Sequence, residues 1–146
     1  MKMKFLTILT IIMLVFTHLS LTYKQTKNTL NGKWKLICFH DLETNIQNCK
    51  PIDDPTKFIT LTFSDNGQTG TMSGNTTINK VTGDYKLLED NKIKVERFGG
   101  TKINEIGWGS NVWTTIYQST SYNYSFDTLI IYYDSDSKAM KFINAD

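Results

Sequence analysis

The sequence predicts a mainly β domain with one short helix, an α+β chain whose antiparallel sheet curls on itself or forms a small, partly open barrel. Three observations predict it. Ile59, Leu61 and Phe63 alternate with Thr60 and Thr62 in strict period two, the pattern of a half-buried strand. Such runs are separated by turn signals, Asn66-Gly67 after the first and Glu89-Asp90-Asn91 between Tyr85/Leu87 and Ile93/Val95, which mark hairpins. One segment alone shifts to helical spacing, with Val112 and Ile116, and Trp113 and Tyr117, as i,i+4 pairs.

Taken in chain order, the first element is a leader. Lys2 and Lys4 precede an apolar run from Phe5 to Phe16 broken only by two threonines, the charged and apolar regions of a secretory signal peptide. Twelve helical residues rise about 18 Å, short of the ~30 Å hydrocarbon core, so cleavage is favoured over a retained membrane anchor. Residues 1–22 are read as the signal, 23–30 as a polar linker and 31–146 as one domain. The expected location is therefore outside the cytoplasm, periplasmic or secreted.

Within the domain, Lys33 to Phe39 reads as a first strand, with Trp34, Leu36 and Cys38 on one face. Asp41 to Thr56 is polar, contains Pro51 and Pro55, and reads as a long connection. The strand of Ile59 to Phe63 should return through Thr69 to Ser73, and the hairpin around Asp90 follows. Gly99 and Gly100 end that hairpin and lead to Thr101, Lys102 and Ile103, a short edge strand or turn. The helix begins near Ser110 or Asn111 as cap; its threonines and Ile116 lower helix propensity and keep a strand in play. Tyr122 to Phe126, Leu129 to Tyr133 and Met140 to Ile143 close the chain as two or three more strands, with turns at Asp127 and over Asp134, Ser135 and Asp136.

Composition excludes several classes. Hydrophobic residues make up 40% of the chain and charged residues 21%, enough apolar area for a core and too little charge for disorder. Removing residues 1–22 takes away Lys2 and Lys4, so the basic residues then equal the 14 acidic ones and the domain is formally neutral. Arg97 is the sole arginine, and the lysines are spread out, which argues against nucleic acid binding. Membrane contact is expected only through an uncleaved leader, and the domain is read as a monomer. Cys38 and Cys49 would meet an oxidising compartment, where a pair is more often a disulfide than a catalytic thiol.

Four segments, in order, resemble the META/HslJ-like domain of bacterial envelope proteins. The opening Leu30-Asn31-Gly32-Lys33-Trp34-Lys35-Leu36 is similar to the family's Leu-x-Gly-x-Trp start, and Leu61 to Gly67, containing Phe63, to its second strand and hairpin. Gly74, Asn79, Gly83 and Tyr85 resemble its Gly…Asn…Gly-x-Tyr signature, and Gly99 to Ile103, containing Thr101, its Thr-Lys-Met segment. Its helix fits Val112 to Ser119, and its closing hairpin Leu129 to Tyr133 and Met140 to Ile143. Where many relatives carry cysteines, this chain has Ile78 and Asn104, so a disulfide between those positions cannot form. The resemblance implies a curled antiparallel sheet with one packed helix, in envelope proteins linked to stress or antibiotic tolerance, and brings no catalytic residues with it.

Candidate chemistry is sparse. His40 is the sole histidine after the leader, and Cys38, two residues away on a strand, would face it as a thiolate–imidazolium pair requires. Against that thiol hydrolase stand the available partner Cys49 and the lack of a third orienting residue. Cys38, His40 and Cys49 form no zinc pattern, and no metal or cofactor is expected. Asp134 and Asp136 start like a calcium loop, but Ala139 and Ala145 occupy the positions that need glycine and glutamate. The neighbours Asp53/Asp54 and Glu89/Asp90 read as solvent-facing carboxylates. Trp108, between Gly107 and Gly109, is either a core residue or an aromatic anchor at the barrel mouth; Tyr122 and Tyr124 are further candidates for ligand or partner contact. The expected function is thus an exported, non-enzymatic META-like domain that acts by binding or by stabilising the envelope, with an envelope protein or a small apolar ligand as partner. The alternative is a lipocalin-like carrier of a small apolar ligand.

Overall fold

Alternating apolar residues generate nine strands and one helix in the computed structural model, which describes residues 29–50, 58–101 and 103–145. The expected leader, most of the linker, Asp53, Asp54 and both prolines lie outside the described residues. The strands are β1 (Gly32–Asp41), β2 (Ile46–Cys49), β3 (Thr60–Asp65), β4 (Thr69–Asn75), β5 (Lys80–Leu87) and β6 (Ile93–Gly100). Helix α1 (Trp108–Thr115) and a 3-10 turn (Ile116–Gln118) precede β7 (Ser119–Ser125), β8 (Thr128–Tyr133) and β9 (Lys138–Asn144). This is the predicted fold class: antiparallel β with one short helix, curled into a half-barrel.

The sheet runs β6-β5-β4-β3-β1-β9-β8-β7, so the first strand lies at the centre, beside the last. Both ends of that path approach each other. Tyr122 N–H donates to Asn91 O at 2.8 Å, and Lys92 bridges to Ser121. Farther along, the gap is filled by the helical segment. Tyr117 hydroxyl accepts from Phe98 N–H and donates to Phe98 O, both at 2.7 Å, so one side chain stands in for a neighbouring strand on the β6 edge.

The interior is packed with side chains from every layer of the curl. Trp34, Tyr85, Phe63 and Phe142 are the largest fully buried residues, and α1 contributes Val112 and the 3-10 turn Ile116. Leu30 is also fully buried, so the core takes in the last residue of the expected linker. The Asp90 turn works because Asp90 and Asn91 adopt φ of 56° and 54°, the left-handed pair of a tight hairpin.

Three local expectations are corrected, and the choice between edge strand and turn after Gly100 is decided. Asp41 to Thr56 is not all connection, since Ile46–Cys49 pairs with β1 as β2; all four of its residues are exposed, so it carries no alternation to read. Cys38 does not share a face with Trp34 and Leu36. The β1–β9 register slips between Leu36 and Cys38, so Phe39 opposite Met140 turns into the core and Cys38 opposite Lys141 turns outward. The helix starts at Trp108 with Gly107 as cap, which leaves Ser110 and Asn111 inside its first turns. Thr101 and Ile103 join no strand.

Candidate functional site

The residues singled out by their order along the chain converge on two hydrogen-bond clusters. In the first, the end of β3 is tied to the entrance of β1. Asn31 side chain pairs with the Asp65 backbone in both directions, donating to Asp65 O at 3.1 Å and accepting Asp65 N–H at 2.6 Å. Asp65 Oδ2 accepts Leu30 N–H at 2.9 Å and Tyr85 hydroxyl at 2.8 Å. Trp34 Nε1–H returns to Leu30 O at 2.9 Å. Burial, with the Asp65 carboxylate beside it, raises the Tyr85 phenol far above its ordinary value, so it stays a donor.

The aromatic rings of this cluster pack edge to face. Phe63 meets Tyr85 at 5.4 Å between centroids, and Trp34 meets Tyr124 at 5.7 Å. Gly32 has φ of 139°, a conformation that side chains resist. At Gly74 an added Cβ would lie 1.9 Å from Thr60 O, and at Gly83 2.4 Å from Arg97 O, so neighbouring strands approach there only because these positions are glycine.

The second cluster surrounds Asn79, which is 2% exposed at the β4–β5 turn. Its Oδ1 accepts Thr101 hydroxyl at 2.8 Å and Ile103 N–H at 3.0 Å, while its Nδ2 donates to Ile103 O at 2.8 Å and Glu105 Oε2 at 2.9 Å. Glu105 also accepts Thr76 hydroxyl, Ile78 N–H at 3.1 Å and Trp113 Nε1–H at 3.2 Å. Burial alone would raise the Glu105 carboxyl; these donors outweigh it and hold it below the usual range. The irregular segment after β6 is thereby fastened to the turn and to α1. Glu105 is the residue that sequence reading missed. Its only signal was a carboxylate in a glycine-rich stretch three residues before a tryptophan.

The remaining candidates are placed apart from these clusters. Cys38 and Cys49 face each other across β1 and β2, 4.0 Å between Cα atoms, and are joined as a disulfide. Cys38 therefore offers no thiolate to His40, whose Nε2 lies 3.1 Å from Asn45 Oδ1. Trp108 is half-buried and meets Phe39 edge-on at 5.2 Å, with Lys50 Nζ 5.2 Å from its ring. Tyr122 is buried, whereas Tyr124 is 42% exposed where it covers Trp34. Asp134 binds Lys138 at 2.7 Å, and Asp136 accepts from Ser121 at 2.8 Å and from Thr120, which holds its carboxyl low. Among the described residues no group of three or more His, Cys, Asp or Glu side chains could hold a metal.

Fold and clusters together define a curled antiparallel half-barrel, plugged by one helix and fastened by two partly buried polar networks. No family model matches the chain, and no curated protein does. Solved structures share the fold, two of them as follows. One is the NMR structure of a protein from Burkholderia xenovorans, 21% identical over 79% of this chain and 82% of that one, with a TM-score of 0.56. The other is the crystal structure of a DUF4847 family protein from Bacteroides vulgatus, 12% identical over 77% and 92% of the two chains, with a TM-score of 0.56. At these identities the likeness is one of fold.

Proposed function

We propose that this chain is an exported, non-enzymatic domain of META/HslJ-like type that acts in the bacterial cell envelope by binding or stabilising an envelope protein. The observation that carries the reading is the Asn79 network. Asn79, Thr101 and the turn after Gly74 are the landmarks on which the resemblance rests, and their polar atoms are spent on one another and on Glu105. Such residues recur together in a family because the backbone path needs them, with no reaction required. The Cys38–Cys49 disulfide supports an oxidising destination, in keeping with the leader pattern of residues 1–22.

The carrier reading is favoured by the near-closure of the sheet at Asn91 and Tyr122. It is opposed by the filling of the interior with Trp34, Phe63, Tyr85 and Phe142. One experiment tests both. The full-length chain, tagged at its C-terminus, is expressed in a bacterial host, and the envelope fraction is captured after mild crosslinking. Expected are a mass lacking residues 1–22 and a reproducible protein partner. A chain that keeps its leader in the cytoplasmic fraction overturns the proposal, and a stoichiometric apolar small molecule without a protein favours the carrier.

A further inference from the structure

We infer that the outer face of β1, β9 and β8 carries a binding pocket for a small organic acid, a carboxylate on a short apolar body. It stands independently of the proposed family role, because it lies on the side of the sheet opposite Trp34, Phe63 and Tyr85.

The β-bulge after Leu36 creates the pocket. By reversing the faces of β1 it sends Cys38 and His40 outward, where the opposite partners are Lys141 and Ala139 of β9. The β1–β2 hairpin, held by the disulfide, forms one side. The result is a depression of about 200 Å3 walled by Leu42, Ile130, Ala139 and Cys38. Although they point away from the core, Cys38 is only 4% and Ala139 3% exposed, so the floor is apolar and largely withdrawn from water.

The polar side chains of the same pocket are His40, Gln47, Tyr132 and Lys141. Most other ionic groups of the sheet are engaged: Lys86 with Glu96, Arg97 with Asp84, Lys138 with Asp134. Neither the Lys141 ammonium nor the Tyr132 hydroxyl has a hydrogen-bond or ion-pair partner among the described residues. A cation and a hydroxyl donor beside an apolar floor are the complement of a carboxylate attached to a hydrocarbon. Size restricts the body. An apolar cavity of ~150 Å3 takes one benzene, so this depression has room for a single ring or a short chain with its carboxylate.

The test uses the full chain as purified after export, labelled with 15N, and benzoate as probe. Expected is a Kd on the order of 1 mM or tighter, with shifts centred on β8, β9 and the β1–β2 hairpin. Benzamide, of the same shape without charge, and acetate, with charge but no ring, should each bind at least about tenfold more weakly. Lys141→Gln should weaken benzoate by about tenfold, and Lys141→Arg should stay within about threefold of the parent chain. Because Lys141 is exposed, both variants should keep the dispersed spectrum of the parent. The inference is overturned if about 10 mM benzoate shifts none of these amides, if benzamide binds as tightly as benzoate, or if Lys141→Gln leaves the affinity unchanged.

Discussion

Tyr85 donates its hydroxyl to Asp65 Oδ2 at 2.8 Å, and that same oxygen accepts Leu30 N–H, whose carbonyl in turn binds the indole of Trp34. A tyrosine of β5 and a tryptophan of β1 are thus joined through one carboxylate on β3. The entrance of the first strand is positioned by Asp65, 35 residues after Leu30 in the chain.

Replacing Tyr85 by Phe should cost about 1–2 kcal/mol, since it removes a donor to a charged acceptor and keeps the ring against Phe63. Urea unfolding should show a lower midpoint with an unchanged slope. An unchanged midpoint would mean that the hydroxyl contributes nothing to the link.

Asn79→Ala should be more severe, about 2–3 kcal/mol, because it removes a buried side chain that holds four hydrogen bonds at once, to Thr101 hydroxyl, both backbone groups of Ile103 and Glu105. Thr101→Val should cost less. The double variant should fall short of the sum, since both changes break the same bond.

Acid should loosen the second cluster. The Glu105 carboxyl is held below its usual value in the folded chain, so its stabilisation is fully present above the ordinary value of 4.5 and is lost as pH falls through the lower folded one. Glu105→Gln should therefore unfold more easily than the parent at pH 7, and the two urea midpoints should converge toward pH 3. Parallel curves would assign the acid loss to Asp41, Glu96 or Asp136, whose carboxyls are also held low.

Tyr117→Phe probes the plugged seam. With both bonds to Phe98 gone, the β6 edge loses its surrogate strand, and about 1–2 kcal/mol of stability should go with it. Hydrogen exchange should accelerate at the Phe98 amide and much less at the β8–β9 ladder.

Opening the disulfide should act locally and globally. Its sequence separation of 11 residues corresponds to about 3 kcal/mol of loop entropy. The Cys38→Ser, Cys49→Ser double variant should melt earlier and lose amide protection in β2, whose residues are all exposed. Non-reducing mass spectrometry of the parent should find a species lighter by two hydrogens; two free thiols there would refute the bridge.

Legibility followed burial. β3, β5 and β8 each bury alternate residues, so Leu61 and Phe63, Tyr85 and Leu87, and Leu129 and Ile131 announced their strands by alternation. β2 buries nothing; its place is set by pairing with β1, a relation between distant residues that leaves no trace in its own composition. Ser110 and Asn111 looked like caps, but packing of Trp108 on Phe39 extends the helix back to Gly107. Leu30 looked like linker because one apolar residue shows no period. Asn79 and Thr101 were legible as landmarks, whereas Glu105, which binds them together, was not.

By itself the sequence determined where the alternating, inward-facing strands and the tight turns lie and where helical spacing appears, because side-chain period and turn chemistry are local properties. The tertiary structure decided which edges meet, that Tyr117 fills the seam, and that a one-residue bulge turns Cys38 and His40 to the outside. Those outcomes depend on register between strands far apart in the chain, and a shift of one residue exchanges the two faces of a strand without altering a single local preference.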